Sequence, residues 1–210
     1  GKFAVLAHDI NLLHAAGIRL VLVHGSRPQI ESQLKQRRAK PRYKDGIRIT
    51  NAVALECVKE AVGLLRVEID ALLSQGLPNS PMAGAAINTV SGNFMTAQPY
   101  GVRDGVDYQH TGMVRKVDVA AIRGCLDANN IVIVSNVGYS PTGEIFNLTI
   151  EDAAVATAKA LTADKLVFLT DEPVRDTKGK LVTELAADEA EALLAEPKAA
   201  LTEDTRLFLA

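Results

Sequence analysis

The spacing of apolar residues along this chain changes from one segment to the next, and each change marks an element. Residues 18–24, IRLVLVH, are almost continuously apolar, as expected of a strand buried on both faces of a parallel sheet. Residues 131–135, IVIVS, have the same character. Between them Leu55, Val58, Val62, Leu65, Ile69, Leu72 and Leu73 recur at helical spacing, which predicts a helix over 51–75 with Gly76 just past its end. Further strands are predicted over 3–6, 85–90, 94–98, 114–117 and 165–170. Further helices are predicted over 8–16, 29–36, 118–126, 149–161 and 188–195. Ser91-Gly92-Asn93 reads as a hairpin-like turn, and residues 176–180 as a hairpin.

The helix ends carry their own signals. Asp118 and Thr149 are placed as N-caps. Ser26, Pro28 and Gln29 read as a Ser-x-x-Gln capping box with proline in the first turn. The alternation of strand and helix predicts an α/β sandwich around a mostly parallel sheet. One junction is too short. A strand ending at Leu6 meets a helix starting at His8, where such loops take about 2–6 residues. Either one of these two elements is misassigned or residues are missing from the sequence near 5–7, and the second is the expected explanation. No internal repeat and no low-complexity linker interrupts the chain.

Composition narrows the function more than the fold. Apolar residues make up 48% of the 210 and charged residues 23%, as in an ordinary globular protein. A net charge of −2 creates no general attraction for nucleic acid or anionic membrane. No segment resembles a membrane span or a signal peptide. Cys57 and Cys125 stand alone in apolar helical contexts, as buried reduced thiols do, which suits a cytoplasmic setting. Neither has the close histidine or cysteine neighbours that zinc requires.

Four places hold candidate chemistry. Gly25-Ser26-Arg27 joins a strand end to a helix start, where backbone N–H groups suit an anion; a tight turn without a ligand is the alternative. Arg48 alternates with Ile47 and Ile49 and so points away from them, free to hold a carboxylate bidentately or to sit in an ordinary ion pair. Asn147 brings a donor and an acceptor to the next helix start, as a ligand group or a loop brace. Glu151 and Asp152 in that first turn complement the helix dipole. The run from Lys35 to Lys44, KQRRAKPRYK, has six basic residues in ten, but a solvated helix end explains it better than a nucleic-acid patch. His8, His14, His24 and His110 have no partners at ligand spacing.

The segments LVLVHGSRPQI, DGIRIT, VSGNFMTAQPYGVRDGVDYQHTG, NVGYSPTGEIFNLTIEDAA and KLVFLTD, in this order over about residues 3–185, resemble the amino acid kinase family. Within it they are similar to the acetylglutamate kinase-like, arginine-sensing domain of bacterial N-acetylglutamate synthases. The resemblance implies a three-layer α/β/α sandwich with a central, mainly parallel sheet of about eight strands. It makes residues 1–210 one kinase-like domain, truncated at its C-terminal part and lacking the acetyltransferase domain. The same motifs separate synthase from kinase. The kinase's His-Gly-Gly-Gly turn reads His24-Gly25-Ser26-Arg27 here, and its helix-start aspartate corresponds to Glu151. Its lysine and glycine loop would fall between about Val5 and Ala7, at the short junction. Both substitutions disturb positioning, on which phosphoryl transfer depends.

The resemblance therefore implies a non-catalytic regulatory domain with a vestigial acetylglutamate-like pocket at Gly25, Ser26, Arg48 and Asn147. It implies L-arginine as allosteric effector, homo-oligomer assembly, no cofactor in this domain, and acetyl-CoA as substrate of the parent enzyme. The arginine-contacting residues would lie largely beyond Ala210. The alternative is a working acetylglutamate kinase using ATP.

Overall fold

In the computed structural model, which describes residues 2–74, 87–169, 175, 181–186 and 189, the two most apolar stretches lie side by side. In chain order the elements are α1 (Lys2–Ala15), β1 (Val21–His24), α2 (Arg27–Gln36), β2 (Tyr43–Lys44), β3 (Ile47–Arg48), α3 (Ala52–Leu73), β4 (Thr89–Ser91) and β5 (Met95–Pro99). They continue with β6 (Val102–Arg103), β7 (Val106–Asp107), β8 (Gly112–Val117), α4 (Val119–Asp127), β9 (Ile131–Ser135), β10 (Val137–Tyr139), β11 (Ile145–Asn147) and α5 (Ile150–Leu161). The chain divides into two units, residues 1–163 and 164–210, and all these elements belong to the first.

Strand β9 is the centre of a three-stranded parallel sheet in the order β1-β9-β4, with Val132 opposite Val21 and Val90. Its residues alternate between two helical layers. Val132 and Val134, with Val21 and Val23 beside them, pack toward Ile122 of α4 and Ala153 of α5. Ile131, with Leu20 and Leu22, packs toward Ala7 and Ile10 of α1 and Leu73 of α3. Both faces are covered, so a continuous apolar run is what the strand requires. This is the three-layer α/β/α arrangement expected from the sequence. A four-stranded mixed sheet, β11-β10-β5-β8, flanks it among the described residues.

The chain packs this second sheet so closely that glycine is required at two places. A Cβ on Gly138 would lie 2.7 Å from Ala97 Cβ and 3.0 Å from Leu148 Cδ1. One on Gly112 would lie 2.6 Å from Phe146 Cβ. Turn chemistry fixes two small hairpins. Asp45-Gly46 joins β2 to β3 and Asp104-Gly105 joins β6 to β7, with positive φ at all four residues, as a type I′ turn demands.

Several sequence expectations change. α1 runs unbroken through residues 3–6, so no strand stands there and the short junction near 5–7 does not exist; those positions are helical, not a glycine loop. A brief apolar run cannot be told from a helix segment by period alone. β4 and β5 do not form a hairpin across Ser91-Gly92-Asn93, because they belong to different sheets. Gly92 lacks the positive φ of a tight hairpin turn. The turn-rich segment over 138–144, expected as a loop after the 131–135 strand, begins with the end of β10 and connects it to its antiparallel partner β11. In the second unit, residues 165–169 have no regular structure, against the strand expected there. Arg175 and Leu181 form an antiparallel bridge, and residues 176–180, where a hairpin was expected, lie outside the described residues. So do Gly76, residues 85–86, Thr170, and all of the 188–195 helix except position 189, which is helical.

Gly138→Ala should cost about 1–3 kcal/mol, because the new methyl would lie 2.7 Å from Ala97 Cβ, which is fixed to its backbone, and would also displace the Leu148 side chain. Gly25→Ala should be nearly neutral, since its Cβ would find Ile150 at an ordinary 3.7 Å. Urea unfolding of the two variants checks the contrast.

Candidate functional site

Ser26 follows β1 by two residues and opens α2, but it does not cap that helix through its side chain. Its hydroxyl donates instead to Oδ1 of Asn136 at 2.8 Å. Gln29 does not complete a capping box, and its Oε1 is buried without a partner. The expected box is therefore absent, because Ser26 is committed elsewhere.

Asn136 links β9 to β10, and its amide nitrogen donates to Oδ1 of Asn147 at 2.8 Å. Asn147, the last residue of β11, donates to Thr50 Oγ1 at 3.0 Å. The Thr50 and Thr111 hydroxyl oxygens lie 2.9 Å apart. Thr111 Oγ1 then donates to the Arg48 carbonyl at 2.5 Å and accepts from the Thr50 amide at 3.1 Å. Five side chains thus form one buried polar chain, none more than 5% exposed. Ser26 and Asn147 meet through Asn136, and Arg48 joins by its backbone. The sequence reading missed Asn136, Thr50 and Thr111. The asparagine closing an apolar strand run was the one visible signal.

The Arg48 side chain leaves this chain for a second cluster. It is 6% exposed, and its Nη2 donates to Glu31 Oε1 at 3.4 Å while Nη1 is buried without a partner. Its guanidinium stacks 4.6 Å from the Tyr43 ring centre, and the Arg27 guanidinium stacks 4.8 Å from the same centre. Glu31 Oε1 also accepts from Tyr43 Oη at 2.6 Å and from Arg27 Nε at 3.3 Å. The Tyr43 hydrogen bond chiefly holds the Glu31 carboxyl below its ordinary value; burial opposes this, and Arg27 and Arg48 add to it. Burial, followed by the hydrogen bond to Glu31, pushes the Tyr43 phenol up to about 12. Burial lowers the Arg48 pKa, against the pull of Tyr43 and Glu31.

The other predicted positions sit close by. Gly25 faces Ile150 at the start of α5, and Glu151 is half-buried in the first turn of that helix. Thr149 caps α5 by accepting from the Asp152 amide, and Asp152 accepts from the Val114 amide at 2.8 Å. The basic run is partly neutralised: Arg37 pairs with Glu60, and Lys44 with Asp104. Cys57 is buried and Cys125 half-buried, both unbridged.

The model of the amino acid kinase family matches residues 1–204. The chain belongs to the amino acid kinase family. It is 52% identical over 210 residues to an amino-acid acetyltransferase of Ralstonia nicotianae, covering 100% of this chain and 46% of that protein. It is 53% identical over 194 residues to an amino-acid acetyltransferase of Pseudomonas fluorescens, covering 92% and 45%. The chain therefore spans less than half the length of the curated relatives it matches. Among solved structures it is similar to N-acetylglutamate synthase from Neisseria gonorrhoeae complexed with coenzyme A and L-arginine. There the TM-score is 0.88 and the identity 36%, over 100% of this chain and 48% of that one. Carbamate kinase from Giardia lamblia bound to AMP-PNP shares the family fold, with a TM-score of 0.69 at 14% identity over 98% of this chain and 78% of that one.

Asn136→Ala should destabilise this family member by about 2–6 kcal/mol, because it strands the Ser26 hydroxyl and the side-chain Oδ1 of Asn147 in a buried site at about 1–3 kcal/mol each. The urea midpoint reads it. Glu31 gives a pH test. Its stabilisation is present above the ordinary carboxyl value of 4.5 and is lost as pH falls through its depressed value. Glu31→Gln should therefore lower the melting temperature at pH 6, and the difference should shrink progressively as the pH is taken below 4.5. The carboxylate is 41% exposed and screened, so the difference should stay below about 1 kcal/mol.

Proposed function

We propose that this chain is the kinase-like regulatory domain of an N-acetylglutamate synthase, the enzyme that joins acetyl-CoA and L-glutamate into N-acetyl-L-glutamate at the start of arginine biosynthesis. The buried chain from Ser26 to Thr111 carries this reading. Ser26 at the kinase turn and Asn147 before α5 are tied together through Asn136, and Asn147 is bonded on to Thr50. They brace a scaffold and are not presented to a phosphoryl acceptor. The names of the relatives support the synthase assignment.

In this reading Gly25, Ser26, Arg48 and Asn147 are a vestigial acetylglutamate-like pocket, and Glu151 marks the former kinase position. Acetyl transfer belongs to a part of the parent protein outside this chain, which uses acetyl-CoA; this domain needs no cofactor. L-arginine is the feedback effector, and the domain assembles as a homo-oligomer in the cytoplasm. Likeness to a synthase solved with L-arginine and coenzyme A supports the effector and the substrate. Arginine acts by binding two arrangements of the oligomer with different affinity, the one way an effector shifts an equilibrium.

In the complete protein, arginine should lower acetylglutamate formation, and deleting the segment of residues 1–210 should abolish that response. Equal inhibition with and without the segment would overturn the proposal. A coupled assay for ADP with N-acetylglutamate, ATP and Mg²⁺ separates the kinase reading. No turnover is expected.

A further inference from the structure

The parallel strands β1, β4 and β9 end close together at His24, Ser91 and Ser135. A cavity of about 310 Å³ opens at these ends against α3. Ligands of open α/β sheets bind outside the carboxyl ends of the strands, and this volume is at the lower end of small-molecule sites. None of Gly25, Ser26, Arg48 or Asn147 lines it. The cavity is therefore separate from the vestigial pocket, and a ligand bound in it is independent of the regulatory reading.

Its polar atoms are unusually idle. Both ring nitrogens of His24 and the Oγ of Ser91 are buried without a hydrogen-bond partner. Such atoms are costly unless something else satisfies them. Among the described residues of the lining, Arg66 of α3 is the one charged side chain. It spends its Nε on Asp70 at 2.8 Å, and Asp70 also accepts from Thr89 Oγ1. The cation is thus half-neutralised, which favours a single negative charge over a phosphate dianion. Burial lowers the His24 pKa. The Gly25 backbone opposes this without reaching hydrogen-bond geometry, and the Arg66 charge lowers it further, so the imidazole is a neutral donor and acceptor. Phe94, Met95 and Val137 supply apolar wall. Gly92 keeps the mouth shaped, since a Cβ there would press on the Phe94 ring at 3.1 Å.

We propose that this cavity binds a small monocarboxylate of amino-acid size, its carboxylate on Arg66 and Ser91, the His24 imidazole beside it, and its apolar remainder against Phe94 and Val137. The test uses sodium 4-methylpentanoate as probe and its neutral amide as control, titrated into the protein and followed by NMR of ¹³C-labelled histidine rings. His8, His14 and His110 are internal references. The carboxylate should move the His24 signals saturably, with a Kd below about 10 mM, and the amide should not. Arg66→Gln should weaken binding by about tenfold or more, and Arg66→Lys should recover part of it. No saturable His24 shift, an equal response to the amide, or unchanged affinity in Arg66→Gln would each overturn the proposal. Should Arg66→Gln fail to fold, Ser91→Val decides, because it removes a donor and narrows the cavity without touching the Arg66–Asp70 pair. A loss of about tenfold is then expected, and unchanged affinity overturns the site.

Discussion

The side chain of Asn136 ties the start of α2 to the end of β11 at the point where β9 passes into β10. It accepts from Ser26 at the start of α2 and donates to Asn147 at the end of β11. Its backbone carbonyl accepts from the Leu148 amide. Inside a core these bonds are directional and strong, and any one left unmade is expensive. Asn136 therefore sets where the parallel sheet hands over to the mixed sheet. Thr50 continues the constraint: its carbonyl accepts from the His110 amide, and its hydroxyl accepts from Asn147. The β2–β3 hairpin and the segment before β8 are fixed by the same chain.

Around this polar spine the apolar layers do ordinary work. Strand β9 presents alternate residues to α4 and α5 on one side and to α1 and α3 on the other. The helix starts are positioned as carefully as the strands. Thr149 caps α5, and Asp152 in its first turn reaches across to the Val114 amide of β8. The same turn thus satisfies helix and sheet together, which suits a domain whose proposed role is to transmit a change in arrangement as a rigid body.

Much of this was legible from pattern alone. β9 and α5 fall where periodicity and the Thr149 cap put them, and α3 differs from its predicted span only at the ends, because long periodic segments carry redundant information. The failures were local. Residues 3–6 read as a strand because four apolar residues say nothing about period. The second Asp-Gly turn, Asp104-Gly105, was visible and passed over. The site was half legible. Ser26, Arg48 and Asn147 were singled out from turn, strand and helix-start pattern and grouped by the family resemblance, but their connection runs through Asn136, Thr50 and Thr111, which lie far apart in sequence. The His24 cavity was invisible for a related reason. It forms only where three strand ends and α3 converge, and spacing within one segment carries no trace of that.

The hydrogen bond from Ser26 to Asn136 has a consequence for how this turn can change. Placing a glycine at position 26 removes the donor that Asn136 Oδ1 relies on, in a place where Ser26 is 1% exposed and water does not readily substitute. The benefit of an open glycine turn is then offset by an unsatisfied buried oxygen, unless Asn136 changes as well. Positions 26 and 136 are energetically coupled, so neither substitution has a fixed effect of its own. A lineage that acquired this pair could not retrace its steps one residue at a time without passing through a less stable protein.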